Sequence, residues 1–175
     1  DIATRHPDAA ERQRNQALVD LLIPIVKGWC TETGNALAYT GVQVHGGMGF
    51  VEETGAAQFM RDARITTIYE GTTGIQANDL IGRKIARDGG QTMQVLLTAM
   101  AATEAELAKH DDAELRAICR SLKAGIAALK TATDYIVANY SADVRTVALG
   151  AVPFLHLLGT VAGGWVMARS ALVAQ

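Results

Sequence analysis

This chain of 175 residues is expected to fold as an all-α protein. Three observations lead there. Apolar residues recur three and four positions apart along most of the sequence, the spacing of a helix face. Aromatic residues make up only 5%, and β-branched runs are scarce. Pairs of residues that stop helices, Gly89-Gly90 and Asp111-Asp112, punctuate the periodic stretches.

Residues 1–8 are polar and expected to fray. Asp8 suits the cap of a helix with Leu18, Leu21, Leu22, Ile25 and Val26 along one face. Pro24 within it implies a kink, or a helix that begins there. Gly34 loosens the next segment, and Leu37, Tyr39, Val42 and Val44 lead into a glycine cluster at 46–49. A short helix is expected over 52–63, with Phe59 and Met60 facing inward. The β-branched stretch 65–68 is too short for a strand. Thr72 or Thr73 caps a helix carrying Ile75, Leu80, Ile81 and Ile85, which Gly89-Gly90 ends. Beyond that boundary, Met93, Leu96, Leu97, Met100 and Leu107 mark one helix. Leu115, Ile118, Leu122, Ile126, Leu129 and Ile136 mark a second. A third runs from about Ser141 to the end, apolar nearly all round and so expected to be buried on most sides. The division is therefore a helical bundle over 1–88 and a helical extension over 89–175.

Bulk properties narrow the function. With 49% apolar and 19% charged residues, the chain can build a core. A net charge of −2 gives no electrostatic reason to expect a nucleic-acid partner. Cys30 and Cys119 are far apart and read as buried small hydrophobes in a reducing, cytoplasmic setting. Nothing at Asp1 onward reads as a signal peptide. The charge-free run from Thr146 to Ala168 is long enough for a membrane span. Its proline, histidine and four glycines favour a helix packed between neighbours. His6, His45, His110 and His156 are scattered without ligand spacing, so no metal site is expected.

Two places carry candidate chemistry. The first is the turn at Gly46-Gly47-Met48-Gly49. No strand precedes it, as a dinucleotide-binding fingerprint would need, and no Gly-Lys-Ser/Thr follows. It is either a tight connection between helices or a surface on which a ligand packs against glycine backbone. The second is Glu70. A glutamate near a helix start gains about 0.3–1 kcal/mol from the helix dipole, which is sufficient reason for its presence. Alternatively it is a general base, which requires an apolar pocket to strengthen it as a proton acceptor. Ile68 and Tyr69 suit the pocket walls, and Gly71 would let a flat group approach.

Three blocks together resemble the C-terminal domain of acyl-CoA dehydrogenases: Gln43-Val44-His45-Gly46-Gly47-Met48-Gly49-Phe50, Met60-Arg61-Asp62-Ala63-Arg64-Ile65, and Ile68-Tyr69-Glu70-Gly71-Thr72. The resemblance covers about residues 15–88. The tail from Leu155 to Ala174 is similar to the helical extension of the larger members, among them enzymes acting on methylthiopropanoyl-CoA. The family resemblance implies FAD as cofactor and oxidation of an acyl-CoA thioester to the trans-2-enoyl-CoA. Glu70 stands where the family's base removes the α-proton as hydride passes to the flavin, and its N–H would bind the thioester carbonyl. Gln43, Val44, His45, Gly46 and Gly47 stand where the family contacts the adenosine-diphosphate end of FAD, often the neighbouring subunit's. Thr72 stands where the subunit's own FAD is held, and Tyr69 and Gly71 where substrate lies. Gly74 departs from the polar residue many members carry. Arg61 and Asp62 read as a structural pair tying down the loop before Glu70.

The implied partners are an acyl-CoA substrate, an electron-accepting flavoprotein and further copies of the chain, as a homodimer or dimer of dimers. Two alternatives stand beside the enzyme. One is a helical module used only for oligomerisation. The other is a dehydrogenase-like flavoprotein of another role, such as those of the alkylation response that bind DNA. An oxidase that passes electrons to oxygen is a close variant of the enzyme. Since the family holds FAD partly on a β domain, these 175 residues alone are expected to purify colourless and inactive. An absorption spectrum showing stoichiometric flavin on them would overturn that expectation.

Overall fold

A computed structural model describes residues 1–174, and among them every regular element is helical. A first turn, α1 (Ile2–Arg5), precedes a long rod. The rod consists of α2 (Ala9–Ile25), a π-helical turn (Val26–Cys30) and α3 (Thr31–Val44). Asp8 caps α2 by accepting from the Ala10 N–H at 2.9 Å. Pro24 neither starts nor breaks the helix. It lies buried inside α2, just before the π turn. Proline supplies no N–H and crowds the preceding turn, and the wider π turn that follows lets the helix continue. Carbonyls loosened there are partly satisfied by Thr31, whose hydroxyl donates to the Lys27 carbonyl at 2.5 Å.

After the rod come α4 (Gly47–Phe50), a 3₁₀ turn (Glu52–Thr54), α5 (Ala56–Arg64) and a second 3₁₀ turn (Ile65–Thr67). The helix expected over 52–63 is thus split, because Gly55 adopts a left-handed conformation at φ 77°. α5 packs along α3. Next is α6 (Thr73–Asp79), which continues as a π-helical segment (Leu80–Ile85) and a 3₁₀ turn (Ala86–Asp88). Gly89 and Gly90 both take positive φ and end it. The Asp88 carboxylate then accepts from the Gly90 and Thr92 N–H groups, closing the start of α7 (Gln91–Leu107). Asp112 caps α8 (Ala113–Asn139) in the same manner.

The last expected helix is two. α9 (Val144–Leu149) is capped by Asp143, and Gly150 separates it from α10 (Ala151–Val173). Hydrogen bonds from Thr146 hold the Asp143 carboxyl below its ordinary pKa. By length and composition α10 is the one helix among the described residues able to cross a membrane, at a mean hydropathy of 1.5. It packs into the bundle, but on one side only. Phe154, Leu155, Leu158, Gly159 and Ala168 are buried while Val166 and Met167 are exposed. Its uniform apolarity therefore overstated its burial.

One core joins the two halves of the chain. Leu21 and Ile25 of α2 and Leu80, Ile81 and Ile85 after α6 meet Met93, Leu96 and Met100 of α7, Leu129 and Ile136 of α8, and Leu155 and Leu158 of α10. Each fully buried side chain of this size contributes about 1.5–3 kcal/mol. A smaller cluster of Leu107, Leu115, Leu122 and Ala168 closes the far end of α7, α8 and α10. The cysteines differ: Cys119 is half-buried against this second cluster, whereas Cys30, expected to be buried, is exposed.

Trp29 fits tightly against α10. A Cβ on Gly159 would stand 2.2 Å from Trp29 Cγ, and one on Gly163 would stand 3.1 Å from its Cη2. The indole fills the groove these glycines leave. Gly164, one residue further, faces open space. Gly159→Ala is therefore expected to destabilise the protein by about 1–3 kcal/mol through overpacking. By contrast Gly164→Ala should stabilise it by about 0.5–1 kcal/mol, because alanine holds the helix better than glycine. Thermal melts followed by circular dichroism read both, and equal shifts would contradict the fit.

Candidate active site

Residues 31–72 bury little within this chain. Their glycine turn starts where α3 ends. His45 follows the helix with its Nδ1 2.8 Å from the Gly41 carbonyl oxygen, and Gly46 turns the chain at φ 62°. Gly49 is buried, and a Cβ there would lie 2.2 Å from the Val42 carbonyl oxygen, so only glycine lets α4 fold against α3. Gly46 and Gly47 are different. Nothing lies within 4 Å of where their Cβ atoms would stand, and Gln43, Val44 and His45 are exposed beside them. The turn is thus closed by Gly49 on the inside and open at Gly46 and Gly47 on the outside.

The second turn carries Tyr69, Glu70 and Gly71. Glu70 has φ 55°, the one non-glycine residue with positive φ among those described, and Gly71 follows at 92°. Holding a residue with a Cβ in that region costs about 1–2 kcal/mol, so surrounding bonds must maintain it. Two do. Gln76 of α6 donates to the Glu70 carbonyl at 3.1 Å. On the other flank Lys27 Nζ donates to the Thr66 carbonyl at 2.5 Å and lies 5.1 Å from the centre of the Tyr69 ring. Asn35 joins this end of α3 to the same turn, donating to the Ala63 carbonyl at 3.0 Å and to Thr66 Oγ1 at 3.3 Å. Thr73 donates to Glu32 at 2.5 Å, while Thr72 holds the cap position of α6 without giving its hydroxyl to the helix. The Glu70 and Thr72 side chains are exposed, and Tyr69 is about half exposed.

These two turns do not meet. Tyr69 lies against Lys27 in the π turn, midway along the rod, and the glycine turn follows Val44 at the end of α3. At 1.5 Å per helical residue, that places them roughly 25 Å apart. Between and around them runs an uncovered apolar face. Phe59 and Met60, expected inward, point out, with Phe59 75% exposed. Val44, Met48, Phe50, Ile65 and Ile68 are exposed with them. The inward expectation assumed that α5 buries its apolar side on this chain, but that side has nothing here to bury against. The Arg61–Asp62 pair also acts elsewhere than expected. Arg61 pairs with Glu52 at 2.7 Å and so braces the segment after the glycine turn, while Asp62 accepts from Gln58 within α5.

Sequence reasoning missed Lys27, Asn35 and Gln76. A lone lysine inside the apolar run Ile25-Val26-Lys27-Gly28-Trp29 was a usable signal. The roles of Asn35 and Gln76 depend on contacts that spacing does not encode.

Two family models match the chain. The acyl-CoA dehydrogenase C-terminal domain covers residues 6–86, and the acetyl-CoA dehydrogenase C-terminal-like domain covers 96–175. The chain belongs to the acyl-CoA dehydrogenase family. Its relatives include the 3-methylmercaptopropionyl-CoA dehydrogenase of Ruegeria pomeroyi, 49% identical over all of the chain and 29% of the relative. The broad-specificity linear acyl-CoA dehydrogenase FadE5 of Mycobacterium tuberculosis is 34% identical over 89% of the chain and 26% of its own length. A butyryl-CoA dehydrogenase of Syntrophomonas wolfei is 26% identical over 99% and 28%. The chain thus spans less than a third of the length of these curated relatives.

Glu70→Gly should relieve the left-handed strain and raise stability by about 1 kcal/mol. A melt showing equal or lower stability would mean that the turn favours the glutamate side chain for reasons other than backbone shape.

Proposed function

We propose that this chain is the catalytic-base-bearing part of an FAD-dependent acyl-CoA dehydrogenase that converts an acyl-CoA thioester to its trans-2-enoyl form. The observation that carries the proposal is Glu70: an exposed carboxylate in left-handed backbone, braced on both flanks, at the border of an uncovered apolar face. Strain of this kind collects at functional sites. When that face is covered, the carboxylate leaves water and becomes a stronger proton acceptor. In this reading Glu70 takes the proton from the carbon next to the thioester carbonyl. Its own N–H donates to the carbonyl oxygen and stabilises the negative charge that develops there. Tyr69 and Gly71 flank the thioester.

The residues fit FAD. Gly46 and Gly47 leave room for a flat or extended group against the backbone, with Gln43, Val44 and His45 exposed alongside. Thr72 has a hydroxyl free to hold a ligand. FAD supplies, when bound, the acceptor for the hydride leaving the β-carbon. The separation of the two turns supports an arrangement in which Thr72 serves the subunit's own cofactor and the glycine turn a neighbour's. A homodimer or dimer of dimers follows from that arrangement. An electron-accepting flavoprotein is the proposed oxidant of the reduced enzyme, and the cytoplasm the proposed setting. Residues 1–88 face cofactor and substrate in this scheme, and 89–175 support them.

The test is Glu70→Gln in the full-length protein. Glutamine keeps size and hydrogen bonding but cannot take the proton. Bleaching of bound flavin by acyl-CoA should slow by at least about 10²–10⁴-fold, the usual worth of a general base, with flavin content unchanged. Bleaching at the unaltered rate would remove Glu70 from that role.

A further inference from the structure

We propose that Lys27 is a positioning residue for the Glu70 turn, and that α10 keeps Lys27 in place through Trp29. The inference rests, for its catalytic half, on the reading of Glu70 as the base.

Lys27 and Trp29 share the π turn Val26–Cys30. Residues two apart on a helix point about 200° from one another, and the π turn preserves that opposition approximately. Trp29 points into α10, where its ring occupies the groove over Gly159 and Gly163. Gly28 between them is buried against Leu155, whose Cδ1 would lie 2.8 Å from a Cβ at that position. Lys27 points the other way, half-buried, with its ammonium on the Thr66 carbonyl and beside the Tyr69 ring. The turn is therefore clamped from the α10 side by shape and from the Glu70 side by charge.

The chain between these contacts is short and stiff. The Thr66 carbonyl, which accepts from Lys27, lies four residues before the strained Glu70. If Lys27 releases the Thr66 carbonyl, that flank loses its bond to the π turn and keeps the Asn35 bonds to the Ala63 carbonyl and Thr66 Oγ1, while Gln76 still holds the Glu70 carbonyl. A left-handed glutamate less firmly held on one flank relaxes toward ordinary backbone, and its carboxylate moves. Displacement of a reacting group by about 1 Å can cost 10²-fold in rate. The region 89–175 thereby acquires a task beyond filling the core. Through Leu155, Gly159 and Gly163 it fixes the rotation of the π turn, and through Lys27 it fixes where the carboxylate stands.

The experiment uses the full-length protein with its flavin bound, in four versions: Lys27→Met, Lys27→Arg, Trp29→Leu, and Lys27→Met combined with Trp29→Leu. Two quantities are measured. The first is the single-turnover rate of flavin bleaching by acyl-CoA, with the substrate dissociation constant from the same titrations. The second is amide hydrogen exchange in the peptide spanning 64–72, which does not depend on any chemistry.

Lys27→Met is expected to slow bleaching about ten- to hundredfold at unchanged substrate affinity, and to speed exchange in 64–72. Lys27→Arg keeps a cation and a donor, and should restore both to near the parent values. Trp29→Leu should move both quantities in the same direction as Lys27→Met. The double variant should be no worse than Lys27→Met alone, since both changes break one linkage. Parent-like exchange and bleaching in Lys27→Met would overturn the proposal, as would losses in the double variant that simply multiply. If Glu70→Gln bleaches normally while exchange responds to Lys27→Met, the base reading fails and the mechanical linkage stands. If Glu70→Gln is inert while Lys27→Met behaves as the parent, the linkage alone fails.

Discussion

The indole of Trp29 reaches α10 only because glycines stand at 159 and 163. A side chain at Gly159 would occupy the space of the ring itself. That close approach lets α2 and its π turn share a core with α10, and the shared core fixes the rod from which the rest of the chain hangs. From the rod, α3 carries the glycine turn at its far end, and the π turn carries Lys27 where α3 begins. The spacing of the two candidate surfaces is thus set by the length of one helix rather than by any direct contact between them.

Burial is distributed unevenly, and the unevenness is informative. α7, α8 and α10 meet α2 and the π segment after α6 in a conventional apolar core. The segment from α3 to the Glu70 turn keeps its apolar side chains outside. A soluble monomer rarely leaves Val44, Phe50 and Phe59 together in water. The two braced turns lie along that uncovered side.

Much of the fold was legible in the sequence. The 3.6-residue period placed α7 and α8, and Gly89-Gly90 and Asp112 marked their starts, because these signals are local. The direction of burial was less legible. Phe59 and Met60 have a helical period whether their face meets this chain or something else, so period alone could not orient them. α10 misled for a related reason: apolarity on every side does not say which side has a neighbour. Pro24 was read as a kink or a start because a π turn has no sequence signature of its own. In the site, Glu70, Gly71 and the glycine turn stood out by residue type and by resemblance. Their braces did not, since Lys27 and Gln76 act on main-chain carbonyls, which every residue possesses.

The Trp29 contact also has a bearing on time. Its two partners lie near opposite ends of the chain, whereas most helices here complete themselves from neighbours in sequence. Contacts between distant positions form only after the intervening chain has been ordered or closed, and they slow folding. The helices can thus form early, while the π turn waits for α10 to dock before its rotation is set. The Glu70 turn, which leans on that π turn through Lys27, would be among the last features of the chain to acquire its shape.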